Sequence, residues 1–89
     1  MNQIWLVTTK GCVGCKIMSN NIAEALSHTK KEISIRVKDV DELDKKTIRT
    51  CGLTDFPTIM FFKNGELKFK STGTVPYIVI LRWINVHLK

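Results

Sequence analysis

Lys10-Gly11-Cys12-Val13-Gly14-Cys15-Lys16 sets two cysteines two residues apart where the periodicity of the chain changes. Before it, Gln3 to Thr8 is a β-rich apolar run of strand length. After it, Cys15, Met18, Ile22 and Leu26 recur at three- and four-residue steps, which predicts a helix over about 12–28. Asn20, Asn21, Glu24 and Ser27 fall on its wet side. The first cysteine therefore stands at the mouth of a helix and the second one turn inside it. A chain that must place a cysteine pair between a buried strand and a helix has few small architectures open to it.

The remaining pattern narrows them. Residues 33–37, ISIRV, alternate as a strand does. Asp39 or Asp41 is placed to cap a second helix over roughly 42–51, with Glu42 and Asp44 in its first turn. Leu43, Ile48 and Cys51 give that helix an apolar side, and Gly52 ends it. Asp55-Phe56-Pro57-Thr58 leads into an apolar strand over 58–62. Lys63-Asn64-Gly65-Glu66 carries the Asn-Gly hairpin signature. Leu67 and Phe69 then alternate against Lys68 and Lys70 on the returning strand, until Gly73 breaks it. Pro76, in the first turn, opens a last helix to about Leu88. The order is β-α-β-α-β-β-α, an α/β chain with a mixed four-stranded sheet flanked by helices. Strands joined through helices are expected to run parallel with right-handed crossovers.

Eighty-nine residues are expected to form one domain spanning 1–89. The composition, 44 % hydrophobic and 25 % charged, argues against disorder. The longest apolar run, Tyr77 to Leu81, is too short for a bilayer, and the N-terminal run lacks the features of a secretory signal. A cytoplasmic location is the expectation. Three cysteines are an odd number for a secreted disulfide framework. The net charge of +6 comes from scattered lysines with no interleaved aromatics, so nucleic acid is not an expected partner.

The close pair admits two kinds of chemistry. As a redox couple, Cys12 faces the unpaired N–H groups and positive dipole of a helix start, with Lys10 and Lys16 nearby. These favour thiolate, the reactive form, so Cys12 is the expected nucleophile and Cys15 the resolving thiol. Gly11 allows close approach by a partner's backbone, and Gly14 leaves the loop between the sulfurs unhindered. As a metal site, the pair would need two further ligands, and Cys51, His28 and His87 are single and widely spaced. Cys51 reads as a small core residue; His28 and His87, near helix ends, complement the dipole.

Taken with the segment CGLTDFPTIMFFKNGELKFKSTG, Cys51 to Gly73, the Cys-x-x-Cys resembles the thioredoxin superfamily, in a short form near the size of a glutaredoxin. The likeness implies a cis Phe56-Pro57 peptide beside the cysteines. It also implies a substrate groove edged by Gly11, Val13, Gly14, Phe56, Pro57, Thr58 and Gly73. It implies thiol–disulfide exchange on disulfide-containing proteins, with no bound cofactor and no metal. Electrons would come from a thioredoxin-reductase-type partner or a small thiol. Three departures stand out: Gly11 replaces the family's tryptophan, Val13-Gly14 replaces its dipeptide, and Leu6 replaces its buried aspartate. Two rival readings share the same residues, a redox-sensitive adaptor and a metal carrier. Tyr77 to Leu88 has more apolar residues than one stripe requires, so a weak dimer through that helix is the alternative to a monomer.

Overall fold

A computed structural model describes residues 1–89. Its elements are β1 (Asn2–Thr8), α1 (Val13–Ser27), β2 (Ile33–Asp39), a 3₁₀ turn (Val40–Glu42), α2 (Lys45–Cys51), β3 (Thr58–Lys63), β4 (Glu66–Thr72) and α3 (Tyr77–His87). The strands form one sheet in the order β2-β1-β3-β4. β1 and β2 are parallel, as a helical connection requires. β3, although also reached through a helix, runs antiparallel to β1, contrary to the expectation of parallel pairing. The loop after α2 brings the chain back to the sheet end it had just left.

The pleat of the two central strands divides the core. Ile4 and Leu6 of β1 and Ile59 and Phe61 of β3 point to one face. There they meet Met18, Ile22 and Ala25 of α1 and Ile80, Ile84 and Leu88 at α3, all 3 % exposed or less. At about 1.5–3 kcal/mol for each large side chain removed from water, this cluster dominates the apolar stabilisation. The intervening residues, Val7 and Met60, point to the other face, where only Leu53 joins them as a buried neighbour. Trp5, Leu43, Ile48, Cys51, Phe56 and Phe62 pack around this smaller cluster, half-buried. Cys51 is thus a rim residue rather than the buried one expected.

Local chemistry explains the other departures from the sequence pattern. The predicted helix over 42–51 is two pieces. Asp39 caps the 3₁₀ turn and forms a reciprocal capping box with Glu42. Leu43 is then extended, and Asp44 caps α2 by accepting the Thr47 N–H at 2.7 Å. Pro76 is the residue before α3 rather than part of its first turn. Asn64 and Gly65 make the expected turn, both with positive φ. A bulge beside Phe61 and Phe62 sets Leu67 opposite Phe62 and Phe69 opposite Phe61. Leu67 and Phe69 therefore lie on different faces, not on one. Phe69 stacks on His87, centroids 4.4 Å apart, and against Trp83. His28 stacks similarly on Tyr77 at 5.0 Å, so both histidines join α-helix ends to aromatic packing. α3 turns most of its apolar surplus inward, leaving Ile78 and Val86 exposed.

Candidate active site

α1 delivers the cysteine pair to the end of the sheet. Cys12 is its N-cap, with extended backbone, and the Cys12 sulfur accepts the Cys15 N–H at 3.0 Å. A sulfur so placed receives one of the unpaired N–H groups at the helix start and lies at the positive end of the dipole. The two sulfurs are bonded as a disulfide, with Cα atoms 5.3 Å apart. Cys15 is only 7 % exposed, anchored in the first turn over the core, whereas Cys12 is half-exposed. Cys12 therefore carries the accessible sulfur and Cys15 the shielded one. Gly11 precedes them at φ +73°, a left-handed conformation that favours glycine, with open space where a Cβ would lie. Val13 is exposed at the rim.

A second segment reaches this region from the later half of the chain. The Phe56-Pro57 peptide is cis. Phe56 packs into the smaller core, and the buried Thr58 donates its hydroxyl to the Asp55 carbonyl at 2.5 Å. Thr58 therefore braces the loop with its side chain instead of presenting it. The Pro57 carbonyl accepts the Gly73 N–H at 2.9 Å, which joins the proline loop to the end of β4. A Cβ on Gly14 would sit 3.4 Å from Pro57 Cδ and 3.0 Å from Thr74 Cγ2. Gly14 is thus where α1, the proline loop and the segment after Gly73 meet.

Thr74 and Val75 are part of this junction and were not expected from the sequence. Asn21 donates to the Val75 carbonyl at 2.8 Å, and the Val75 N–H donates to the Met18 sulfur at 3.3 Å. These bonds tie α1 to the segment after Gly73. Nothing in the local pattern marked them, because their partners are more than fifty residues away.

On the opposite side of the cysteines lies an open cleft of about 580 Å³. Leu6, Val13, Val37 and the two cysteines give it apolar walls, and Thr8, Lys16 and Ser19 give it polar ones. Leu6 and Val37 are register partners on β1 and β2. No carboxylate lines the cleft beneath Cys15. No three His, Cys, Asp or Glu side chains come together anywhere as a metal-ligating group, so the fold does not bring Cys51 or a histidine to the pair. No helix is long and apolar enough to cross a membrane.

Comparison with known proteins agrees with this geometry. The thioredoxin family model matches residues 2–86. The thioredoxin of Rickettsia prowazekii is 34 % identical over 74 residues, covering 83 % of this chain and 70 % of that protein. The thioredoxin of Griffithsia pacifica is 32 % identical over 79 residues, covering 88 % of this chain and 71 % of its own length. Among solved structures, a malaria-parasite thioredoxin-2 superposes with a TM-score of 0.82 at 20 % identity, over 98 % of this chain and 84 % of that one. A disulfide at a helix N-cap, with a cis-proline loop packed beside the Gly14 between its cysteines, is carried here by a chain that belongs to the thioredoxin family of thiol–disulfide oxidoreductases.

Proposed function

We propose that residues 1–89 act as one thioredoxin-like domain that reduces or exchanges protein disulfides through Cys12 and Cys15. The observation that carries this reading is the Cys15 N–H directed at the Cys12 sulfur at 3.0 Å. In the reduced protein the same N–H and the helix dipole stabilise a Cys12 thiolate, holding its pKa below the ordinary cysteine value of about 8.5. That thiolate attacks one sulfur of a substrate disulfide. A Cys12–substrate bond forms, the substrate S–S bond breaks, and the second substrate sulfur leaves as a thiolate. Cys15, deprotonated, then attacks the Cys12 sulfur, closes the Cys12–Cys15 disulfide and releases the first substrate sulfur. Two electrons pass to the substrate and the chain is left oxidised.

Gly11, Val13, Gly14, Phe56, Pro57, Thr58 and Gly73 edge the surface on which an extended substrate lies. With Leu6 and Val37 below Cys15, water takes the Cys15 proton from the side of the open cleft. A thioredoxin-reductase-type protein or a small thiol regenerates the dithiol, in the cytoplasm, as part of cellular redox homeostasis. The reaction is complete within one copy of the chain.

Reduction of a disulfide-bonded test protein, followed with a chemical dithiol as regenerant, tests the reading. Wild type should turn over, and Cys12→Ser should lose activity by several orders of magnitude. Cys15→Ser should trap a mixed disulfide visible by mass. Full activity in Cys12→Ser, or a reduced Cys12 inert to iodoacetamide at neutral pH, overturns the proposal. The adaptor reading predicts partner capture without turnover. Stoichiometric zinc on the purified reduced protein would favour the metal carrier.

A further inference from the structure

β2 lies at one end of the sheet and pairs only with β1. Along its other side the outward N–H and C=O groups have no strand to bond, the situation that invites pairing with another chain. Ile35 and Val37 are register partners of Ile4 and Leu6, which are fully buried beneath α1 and α3. Cross-strand partners share a face, so Ile33, Ile35 and Val37 continue that apolar face to the sheet's edge. The cover ends there: Ile35 is 36 % exposed and Val37 55 %.

The sequence along this edge is complementary to its own reverse. Lys31-Glu32-Ile33-Ser34-Ile35-Arg36-Val37-Lys38-Asp39 has Ile35 at its centre. When a second copy runs antiparallel about that residue, Ile35 meets Ile35 and Ile33 meets Val37. Ser34 then meets Arg36, Glu32 meets Lys38 and Lys31 meets Asp39. Two-fold symmetry makes every unlike contact twice. Neighbouring registers fail. Centring on Arg36 sets two arginines face to face, and centring on Val37 sets Arg36 against Lys38. Centring on Ser34 pairs Glu32 with Arg36 but sets Lys31 against Val37 and Lys30 against Lys38, so it brings one favourable pair and one repulsive one where the Ile35 register brings two favourable pairs. A half-step puts apolar residues opposite polar ones. Glu32 and Lys38 have no ionic partner within the chain, whose ion pair is Lys68–Glu66.

The geometry points to a homodimer in which β2 pairs antiparallel with β2 of a second copy, about a two-fold axis through Ile35, joining the two sheets into one. Its apolar seam is the double stripe of Ile33, Ile35 and Val37, and its register is set by the Glu32–Lys38 pairs. A single seven-residue strand seam falls below the usual size of a permanent interface, so association depends on concentration.

Sedimentation velocity from micromolar to millimolar protein measures it. Wild type should shift from monomer to dimer across that range. Glu32→Lys and Lys38→Glu, both at exposed or rim positions, should each weaken association about tenfold by setting like charges opposite one another. The double exchange should restore it, which no general surface effect would do. The register is read by a cysteine scan in a background with Cys12, Cys15 and Cys51 changed to Ser. On oxidation, Ile35→Cys should form a covalent dimer and Ser34→Cys should not. The inference is overturned by a monomer at millimolar concentration, or by a dimer indifferent to the charge exchanges. It is equally overturned by a dimer that Ile78→Asp, on α3, dissolves while the β2 changes do not.

Discussion

The two faces of the sheet contribute unequal halves to the candidate active site. On one, α1 and α3 close over a single cluster of ten buried residues, and the cysteines stand at the start of α1, Cys12 as its cap and Cys15 in its first turn. On the other, α2 has no fully buried residue and covers a cluster of three. The proline loop leaves from that thinner side, with Phe56 as its anchor. The disulfide is thus held by the helix of the more deeply packed side of the molecule and the proline loop by the more thinly packed one. Under the proposed function the difference suits the chemistry: sulfur-to-sulfur geometry tolerates little error, whereas a groove for varied protein segments has to yield.

The same truncation on the two covering helices tests that asymmetry most strongly. Ile84→Ala empties a fully buried site and should cost about 2–5 kcal/mol, measured by urea unfolding. Ile48→Ala removes half-buried atoms from α2 and should cost about 1 kcal/mol. Equal losses would mean that the smaller cluster is as well packed as the larger, and the comparison would fall.

Where the halves touch, Gly14 is the sensor. A valine there drives its side chain into Thr74 and Pro57, and overpacking of this kind costs about 1–3 kcal/mol. The more thinly packed side should yield, so the loss in kcat/KM for disulfide reduction, expressed as a free energy, should exceed the loss in unfolding free energy. Gly14→Ala with Thr74→Ser, which removes the nearer methyl, should recover most of the activity lost in Gly14→Ala alone. If the activity loss is the same with and without Thr74→Ser, the junction is not where the halves are coupled.

These contacts also show what the sequence could disclose. Cys12 and Cys15 had a local reason, a helix mouth, whereas Pro57 and Gly73 read locally only as a strand entry and a strand break, and their place beside the cysteines came from the family likeness of the segment around them. The apolar steps at Met18 and Ile22 likewise announced the deep face. The thin face was harder to read. Asp39, Asp41 and Asp44 are all competent caps within six residues, so one helix was expected where the chain makes a turn and then a shorter helix. The alternation of Ile33, Ile35 and Val37 marked a strand without showing that it forms an edge. The bulge opposite Phe61 and Phe62 changed which face Leu67 serves, and nothing local announces a bulge. Gly14 meeting Thr74 is a contact sixty residues long, a product of topology alone.

With so little core beneath it, α2 is fastened from outside. Lys70 on β4 donates to the Cys51 carbonyl at 2.7 Å and the Gly52 carbonyl at 3.3 Å, satisfying acceptors that the helix end leaves free. Lys70→Met keeps much of the stem and removes the donor. It should cost about 1 kcal/mol or less, given the exposure of the pair, and the change in hydrogen exchange should be confined to α2 and the loop before Pro57. A response spread evenly through α1 and α3 would argue that the two faces open as one unit.

The smallest effect lies at the other end of α2 and is read by pH. Hydrogen bonding from Thr47, side chain first and then backbone, holds the Asp44 carboxyl below its ordinary value of 3.8. A group whose pKa is lower folded than unfolded stabilises the folded form above its unfolded value, and that contribution is lost as pH falls through the folded one. Acidification below about 3.8 should therefore weaken α2 before it weakens the deep face. Asp44→Asn keeps a capping oxygen but cannot titrate, so its α2 signals in NMR should vary less between about pH 5 and about pH 2.5 than those of wild type. The difference should vanish above about pH 5, where the aspartate is ionised in both states. If the α1 and α2 signals of wild type decay together on acidification, and Asp44→Asn makes no difference, the cap is not what holds the thin face, and the smaller core must be stronger than its three buried residues suggest.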